Sequence, residues 1–258
     1  MTETTSSAGN DDVFEYLLRL GDDRLVLGHR LSEWCGHGPI LEEDIALANI
    51  SLDLIGQATL YLGLAGETEG KGRDADSLAY FREGVEFRNL QLVELPKGDF
   101  AFTIARQFLF DVFSLHHLEQ LQRSANKELA GIASKGYKEV RYHIRHSSEW
   151  LQRLGDGTTE SHNRAQKALD ELWRFTGEMF AGDDVDKQLG AAGVAPDLDE
   201  IQTKWRAMVS DVIQRATLSI PSDTFMMAGG RSGRHTEHLG HMLSEMQIVA
   251  RSHPGAAW

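Results

Sequence analysis

Apolar residues recur along most of the chain with the three- and four-residue spacing of an amphipathic α-helix. No segment has the strict alternation of apolar and polar residues, bounded by hairpin turns, that is typical of a half-buried β-strand. Prolines stand where the helical pattern lapses, at Pro39, Pro96, Pro196, Pro221 and Pro254. The pattern therefore predicts an all-α protein.

Four long helices are predicted, at residues 12–34, 42–65, 100–123 and 128–154. Together they are expected to form a ferritin-like four-helix bundle. The short break at 36–39 predicts that the first two helices are antiparallel neighbours. A longer connection separates the second from the third, and it contains a short helix predicted at 77–93. Three further helices are expected to pack outside the bundle, at 161–180, 198–217 and 236–251.

The domain organisation follows from the same pattern. Residues 1–11 are polar and acidic, so we expect a disordered leader there and one helical domain over 12–258. The core bundle is expected within about 12–154 and the additional helices within about 161–251. A chain of 258 residues, of which 41% are hydrophobic, is long enough to bury one full core.

Polar residues recur every four positions on helices that are otherwise apolar nearly all the way round. Four-residue steps keep side chains near one face of a helix, so these residues are expected to meet inside the bundle. We predict a core polar network composed of Asn49, Asp53 and Gln57 in the second long helix, Gln107 and Asp111 in the third, and Lys135, Glu139 and His143 in the fourth.

Buried carboxylates are costly unless a metal, a cation or several hydrogen-bond donors compensate them. One explanation is a di-metal site, in which two helices each give one carboxylate and two each give a Glu-x-x-His pair. The other is a metal-free network in the same space. The spacing favours the network, because Gly56 and Tyr142 occupy the positions where the ligand histidines are needed.

On this interpretation Asp53, Asp111 and Glu139 occupy the space of a metal site but are compensated without a metal. Lys135 or Lys138 is the expected source of a compensating positive charge. The alternative is a metalloenzyme with a degenerate carboxylate site of its own. That site would use the same three carboxylates together with His143, which lies one residue beyond the expected histidine position.

A Gly-rich segment, residues 228–234, precedes the last predicted helix. Exposed amides at a helix N-terminus favour anions, so this segment could bind a phosphate with the help of Arg231 and Arg234. The signal is weak, because the segment lacks a Walker lysine and a preceding strand.

Three histidines follow at three-residue steps, His235, His238 and His241, and Glu245 lies four residues beyond the last. A zinc or iron site on one helix face is conceivable with this set. Three-residue steps drift around a helix, however, so packing or contact with a partner subunit is the favoured role for His235 and His238.

Charge and composition argue against nucleic-acid binding, an intrachain disulfide and a membrane-spanning helix. The formal net charge of −13 argues against nucleic acid, whose binders need a basic face. Cys35 is the single cysteine, which is typical of a reducing cytoplasm and excludes an intrachain disulfide. Residues 45–65 are long enough to cross a membrane, but three members of the predicted polar network lie among them, so a buried helix is expected.

Several long segments of the chain, in one order, resemble the C-subunit family of bacterial phenylacetyl-CoA epoxidases. The resemblance runs from about Phe14 to Trp258 and is carried by the strings YLLRLGDDRLVLGHRLSEWCGHGPILEEDIALANISLDLIGQA, TIARQFLFD, KEVRYHIRHS, WLQRLGDGT, LWRFTGEMF, GGRSGRHTEHLGHMLSEMQ and HPGAAW. Colinear motifs of this length are far more specific than any single short one.

The resemblance implies a ferritin-like fold and a part in aerobic phenylacetate breakdown through CoA thioesters. In this family the C subunit is the non-catalytic, structural partner of a related A subunit, which carries a di-iron centre and performs the epoxidation. A small B subunit and a reductase with flavin and an iron–sulfur cluster complete the NADPH-dependent monooxygenase. The implied partners are therefore these subunits, with phenylacetyl-CoA reached through the complex and no cofactor in this chain. The family role also implies that Asp53, Asp111 and Glu139 are remnants of a metal site and that no residue of this chain is catalytic.

Overall fold

The structure, a computed structural model, describes residues 3–222 and 225–256, with side chains described from Gly9 onward. These residues form ten α-helices and no β-strand. The helices are α1 (Glu3–Ser32), α2 (Leu41–Glu69), α3 (Ala75–Tyr80), α4 (Gln91–Glu94), α5 (Phe100–Leu121), α6 (Lys127–Gly155), α7 (Thr159–Leu172), α8 (Asp184–Ala191), α9 (Leu198–Arg215) and α10 (Glu237–Ser252).

The four long helices α1, α2, α5 and α6 make a bundle, which confirms the prediction of a ferritin-like all-α fold. Helix α1 packs along α2 and α5 packs along α6, because each pair is joined by a short connection, at 33–40 and at 122–126. The backbone of α1 is already helical from Glu3, within the segment expected to be a disordered leader.

Side-chain caps explain where several helices begin. Asp99 accepts a hydrogen bond from the backbone N–H of Phe102 at the start of α5, and Asn126 accepts from Glu128 and Leu129 at the start of α6. Such caps satisfy backbone donors that have no partner within the helix. The bundle therefore has well-defined helix starts for both α5 and α6.

The helix predicted at 77–93 is not continuous. Helix α3 ends at Tyr80, a 3-10 turn spans Gly84–Glu86, and α4 covers only Gln91–Glu94. Between them the backbone N–H groups of Arg88 and Leu90 donate to carboxylates of α1 and not to carbonyl oxygens of their own segment. The prediction was wrong here because tertiary hydrogen bonds replaced those of a helix.

The predicted helix 161–180 also ends early, at Leu172, and continues as two 3-10 turns, Trp173–Phe175 and Gly177–Phe180. The segment between this helix and the one predicted at 198–217 contains α8, whose first turn is capped by Asp183. Helices α7 and α9 pack against α5, α8 against α1 and α10 against α3, so the additional helices lie outside the bundle as predicted.

Helix α2 is the one described helix that is long and apolar enough to cross a membrane by length and composition. Half of its most apolar stretch is buried inside the fold, so the bundle core accounts for only part of its apolar surface.

Candidate functional site

The centre of the bundle holds a chain of three polar side chains from three helices. Arg24 of α1 donates from Nε to Oε1 of Gln57 on α2, at 2.8 Å. Gln57 donates from Nε2 to Oε2 of Glu139 on α6, also at 2.8 Å. Arg24 is buried, and its guanidinium lies over the ring of Tyr61, 4.8 Å from the centroid. The positive charge of Arg24 thus reaches Glu139 through one amide.

Two further carboxylates lie beside these three hydrogen-bonded side chains. Asp53 of α2 pairs with Nε2 of His143 at 3.0 Å. Asp111 of α5 accepts from Nε2 of Gln107 and from Oγ of Ser147, each at 2.7 Å. Complete burial raises the pKa of Asp111 to about 7, although the nearby His143 and the two hydrogen bonds act in the opposite direction. Asp111 is therefore poised between its neutral and charged forms near neutral pH.

The structure corrects two members of the predicted network, because Asn49 and Lys135 are exposed. A step of four residues turns an α-helix by about 400°, so each step drifts by about 40°. Along α2 this drift carries the series from exposed Asn49 through half-buried Asp53 to buried Gln57. Along α6 it carries the series from exposed Lys135 to buried His143.

The cation bonded to this network is Arg24, which the sequence pattern did not single out, and not Lys135 or Lys138, which both face outward. Arg24 follows Asp22 and Asp23 in an otherwise apolar stretch of α1. This charged triplet interrupts an apolar helix just as the polar residues of α2 do, so the same sequence pattern could have identified Arg24. Ser147, which donates to Asp111, had no comparable signal, since single serines are common on helices.

The residues at the centre do not fit a di-iron centre, which needs several carboxylates and two histidines around the metals. The amide of Gln57 lies between Arg24 and Glu139, and a guanidinium stands where positive metal ions would need negative ligands. Tyr142 is exposed, and a side chain at Gly56 would meet open space. Within 3–222 and 225–256 no three His, Cys, Asp or Glu side chains cluster as metal ligands.

A second polar cluster ties α1 to later parts of the chain. Asp22 pairs with Arg82, and it accepts a hydrogen bond from the backbone N–H of Arg88. Asp23 accepts from the backbone N–H of Leu90 at 2.8 Å and pairs with Arg231. Burial raises the pKa of Asp23, although Arg231 and Leu90 both favour its charged form. Both carboxylates are therefore held by groups from outside the four-helix core.

The Gly-rich loop is anchored in the protein, and its amides are occupied. Glu178 accepts hydrogen bonds from the backbone N–H groups of Gly229, Gly230 and Gln91, at 2.8, 2.7 and 2.9 Å. The guanidinium of Arg231 is engaged by Asp23. An anion would have to displace a buried carboxylate, so the loop is a structural element here.

The other candidate binding residues near the Gly-rich loop lie apart from one another in the structure. His235 binds Glu94 at 2.7 Å. Burial disfavours a charge on its ring, but Glu94, the backbone oxygen of Phe87 and Asp22 together outweigh burial and raise the pKa of His235. Arg234 and His241 are exposed, and the backbone oxygen of His238 accepts from Arg30. The histidine series therefore does not converge on one point.

Two other histidines make polar contacts between helices of the bundle. Nε2 of His117 lies 3.0 Å from the hydroxyl of Tyr16, and burial, with Arg24 and Arg231 nearby, lowers the pKa of His117 to about 3. His146 on α6 binds the buried carboxylate of Glu43 at 2.7 Å. Together with the Asp53–His143 pair, the latter gives two histidine–carboxylate links between α2 and α6.

Comparison with known proteins agrees with the fold and the motifs. The family described as phenylacetic acid catabolic protein matches residues 1–258. One relative, the C subunit of 1,2-phenylacetyl-CoA epoxidase from Escherichia coli (strain K12), is 49% identical over 243 residues, which cover 94% of this chain and 98% of the relative. The resemblance recognised from the sequence is confirmed, and this chain belongs to the phenylacetic acid catabolic protein family.

Proposed function

We propose that this chain is the structural subunit of a phenylacetyl-CoA epoxidase, and that it pairs with and stabilises the catalytic di-iron subunit in aerobic phenylacetate catabolism. The family places the chain in phenylacetate catabolism, and the relative is a subunit of such an epoxidase. The observation that carries the structural role is the Arg24–Gln57–Glu139 chain, which compensates the central carboxylate without a metal.

In this role the chain carries no cofactor. Iron belongs to the catalytic A subunit, and flavin and an iron–sulfur cluster belong to the NADPH-dependent reductase, with a small B subunit as a further partner. Phenylacetyl-CoA is reached through the complex, in the cytoplasm. The polar centre of this chain then holds α1, α2 and α6 in register, because a buried hydrogen-bonded network rigidifies the helices it joins.

The metal content of the purified protein tests this function. We expect below about one tenth of an iron per chain in the isolated protein, with iron appearing when the protein is co-purified with its catalytic partner. Elemental analysis of both preparations supplies the comparison. About two irons per isolated chain, together with loss of iron in Glu139→Ala, would show a metalloenzyme and overturn the structural role.

A further inference from the structure

An apolar stripe on α2 remains uncovered by the rest of the described chain. Leu41, Ile45 and Leu52 are 72%, 52% and 66% exposed, and with Leu60 they lie near one side of the helix. Spacings of four, seven and eight residues keep them on neighbouring positions of the helix surface. Exposed apolar side chains scattered singly are ordinary, whereas a contiguous row along one helix marks an interaction surface.

Small residues continue this stripe. Gly56 and Gly63 lie seven residues apart, and a Cβ added at either position would meet no atom within 4 Å. The stripe from Leu41 to Gly63 is about 33 Å long, at about 1.5 Å per residue. Its glycine notches would let the backbone of another helix approach closely, so the shape of the surface suits a helix of similar length.

The adjacent side of α6 extends the surface. Tyr142 is 53% exposed, and Lys135 and Lys138 are exposed and make no ion pair within the described residues. The nearby carboxylates of Asp53 and Glu139 are already bonded, to His143 and Gln57. An apolar centre with a polar rim is the usual arrangement of a protein interface, and Lys135 and Lys138 stand at such a rim.

The size of this face suits the centre of an interface. The stripe of α2, about 33 Å long and about 10 Å across, presents roughly 330 Å², and residues 135–142 of α6, about 10 Å long, add roughly 100 Å². A standard interface buries about 800 Å² on each partner, so this face makes up about half of one.

A lipid surface is a poor fit. Helix α2 contains no lysine or arginine, and acidic residues stand at both of its ends, at Glu42, Glu43, Asp44, Glu67 and Glu69. Helices that lie on membranes carry lysine and arginine on their polar face, because most biological membrane surfaces are anionic. The charge of α2 therefore favours a protein partner.

We propose that the exposed face of α2, with Tyr142, Lys135 and Lys138 of α6, is the surface on which the catalytic subunit docks a pair of its own helices. This inference rests on the proposed function and adds the surface and the chemistry of the partner. The docked helices are apolar at their centre, and they place carboxylates opposite Lys135 and Lys138. This surface lies on the bundle itself and not on the C-terminal helices.

Two substitutions, each of which introduces a charge, test whether binding uses the α2 stripe or the C-terminal helices. Leu52→Glu puts a charge in the centre of the α2 stripe, and Ile248→Glu is the matched control on α10, where Ile248 is 59% exposed. Binding of the full-length chain to its catalytic partner is measured by titration calorimetry, and folding is checked by circular dichroism. Leu52→Glu should raise the Kd by about 30-fold or more, whereas Ile248→Glu should raise it by less than about twofold.

A second matched pair tests the close approach of a helix. Gly63→Leu fills a notch of the stripe, and Gly240→Leu fills an equally open position on α10. We expect about a tenfold loss of affinity in the first and none in the second. Both variants should fold, because neither new side chain meets a neighbouring atom at its Cβ.

The outcomes distinguish this inference from the function on which it rests. Failure of the wild-type chain to bind its catalytic partner contradicts the structural role itself. Wild-type binding that survives Leu52→Glu, or that is lost only in Ile248→Glu, overturns the α2 surface and leaves the structural role intact. Leu52→Glu could instead lose self-association or binding to anionic vesicles and still bind the catalytic partner normally. That result would also overturn the proposed α2 surface.

Discussion

The guanidinium of Arg231 donates two hydrogen bonds to the carboxylate of Asp23, at 3.0 and 2.8 Å, and so joins residues that are 208 positions apart. Asp23 is almost completely buried. The same guanidinium also donates to the backbone oxygen of Arg88, so one side chain connects α1, the segment before α4 and the Gly-rich loop.

Removal of this guanidinium should leave a buried carboxylate without its counter-charge. Arg231→Met is expected to lower the free energy of unfolding by about 3–5 kcal/mol, because an uncompensated buried charge is strongly destabilising. Arg234→Met is the matched control, since Arg234 is exposed, and it should change stability by less than about 0.5 kcal/mol. Urea unfolding measures both, and equal effects would contradict the role given to Arg231.

A similar prediction concerns the hydrogen-bonded side chains of Arg24, Gln57 and Glu139 at the centre of the bundle. Arg24→Met removes the donor to Gln57 and the charge that compensates Glu139, and we expect a loss of about 2–4 kcal/mol in unfolding free energy. Lys135→Met removes an exposed charge and should cost less than about 0.5 kcal/mol. Urea unfolding again measures both. If Lys135→Met proved the more damaging of the two, the lysine and not the arginine would be the compensating cation.

The pKa of about 7 at Asp111 gives a pH dependence with a definite sign. Between about pH 4 and 7 the folded protein keeps a proton that the unfolded chain has released, so stability falls as pH rises through this window. Asp111→Asn abolishes this titration while keeping groups that can bond Gln107 and Ser147. The variant should therefore gain on the wild type with rising pH, by up to about 1.4 kcal/mol per pH unit.

Chemical denaturation of wild type and Asp111→Asn at several pH values between about 4 and 8 measures this difference. Parallel stability curves for the two proteins would show that Asp111 titrates near its ordinary pKa in the folded state. The expected result is a convergence or crossing of the curves as the pH rises.

Two helical glycines of α2 should respond in opposite ways to the same substitution. A Cβ at Gly66 would overlap the carbonyl oxygen of Arg73, whereas a Cβ at Gly56 would meet no neighbour. Gly66→Ala is expected to lower the melting temperature sharply, since backbone must move to admit the methyl group. Gly56→Ala should raise stability by about 0.5–1 kcal/mol, because alanine favours a helix over glycine. Thermal unfolding of both variants checks the contrast.

The sequence pattern predicted the bundle because the long helices bury continuous apolar faces, and their periodicity is strong enough to be read directly. It failed between Tyr80 and Gln91, where Arg88 and Leu90 give their backbone donors to Asp22 and Asp23. Such bonds join distant parts of the chain, and local periodicity contains no information about them.

The candidate site was predictable in part for the same reason. Asp53, Gln57 and Asp111 stood out as polar residues on apolar helices, and the structure places them in or beside the interior. Which cation would compensate them depended on the rotation of α1 and α6 about their axes. A drift of about 40° at each four-residue step turns Lys135 outward, while Arg24 points inward from α1.

Asp22 and Asp23 belong to α1, and Arg82, Leu90 and Arg231, which compensate them, lie later in the chain and are therefore synthesised later. While the chain is being synthesised, these carboxylates have to stay in water, because their burial without partners is unfavourable. Helix α1 can therefore reach its final packing only after residue 231 has emerged. The order of synthesis therefore delays the final packing of α1 until its partner at residue 231 is available.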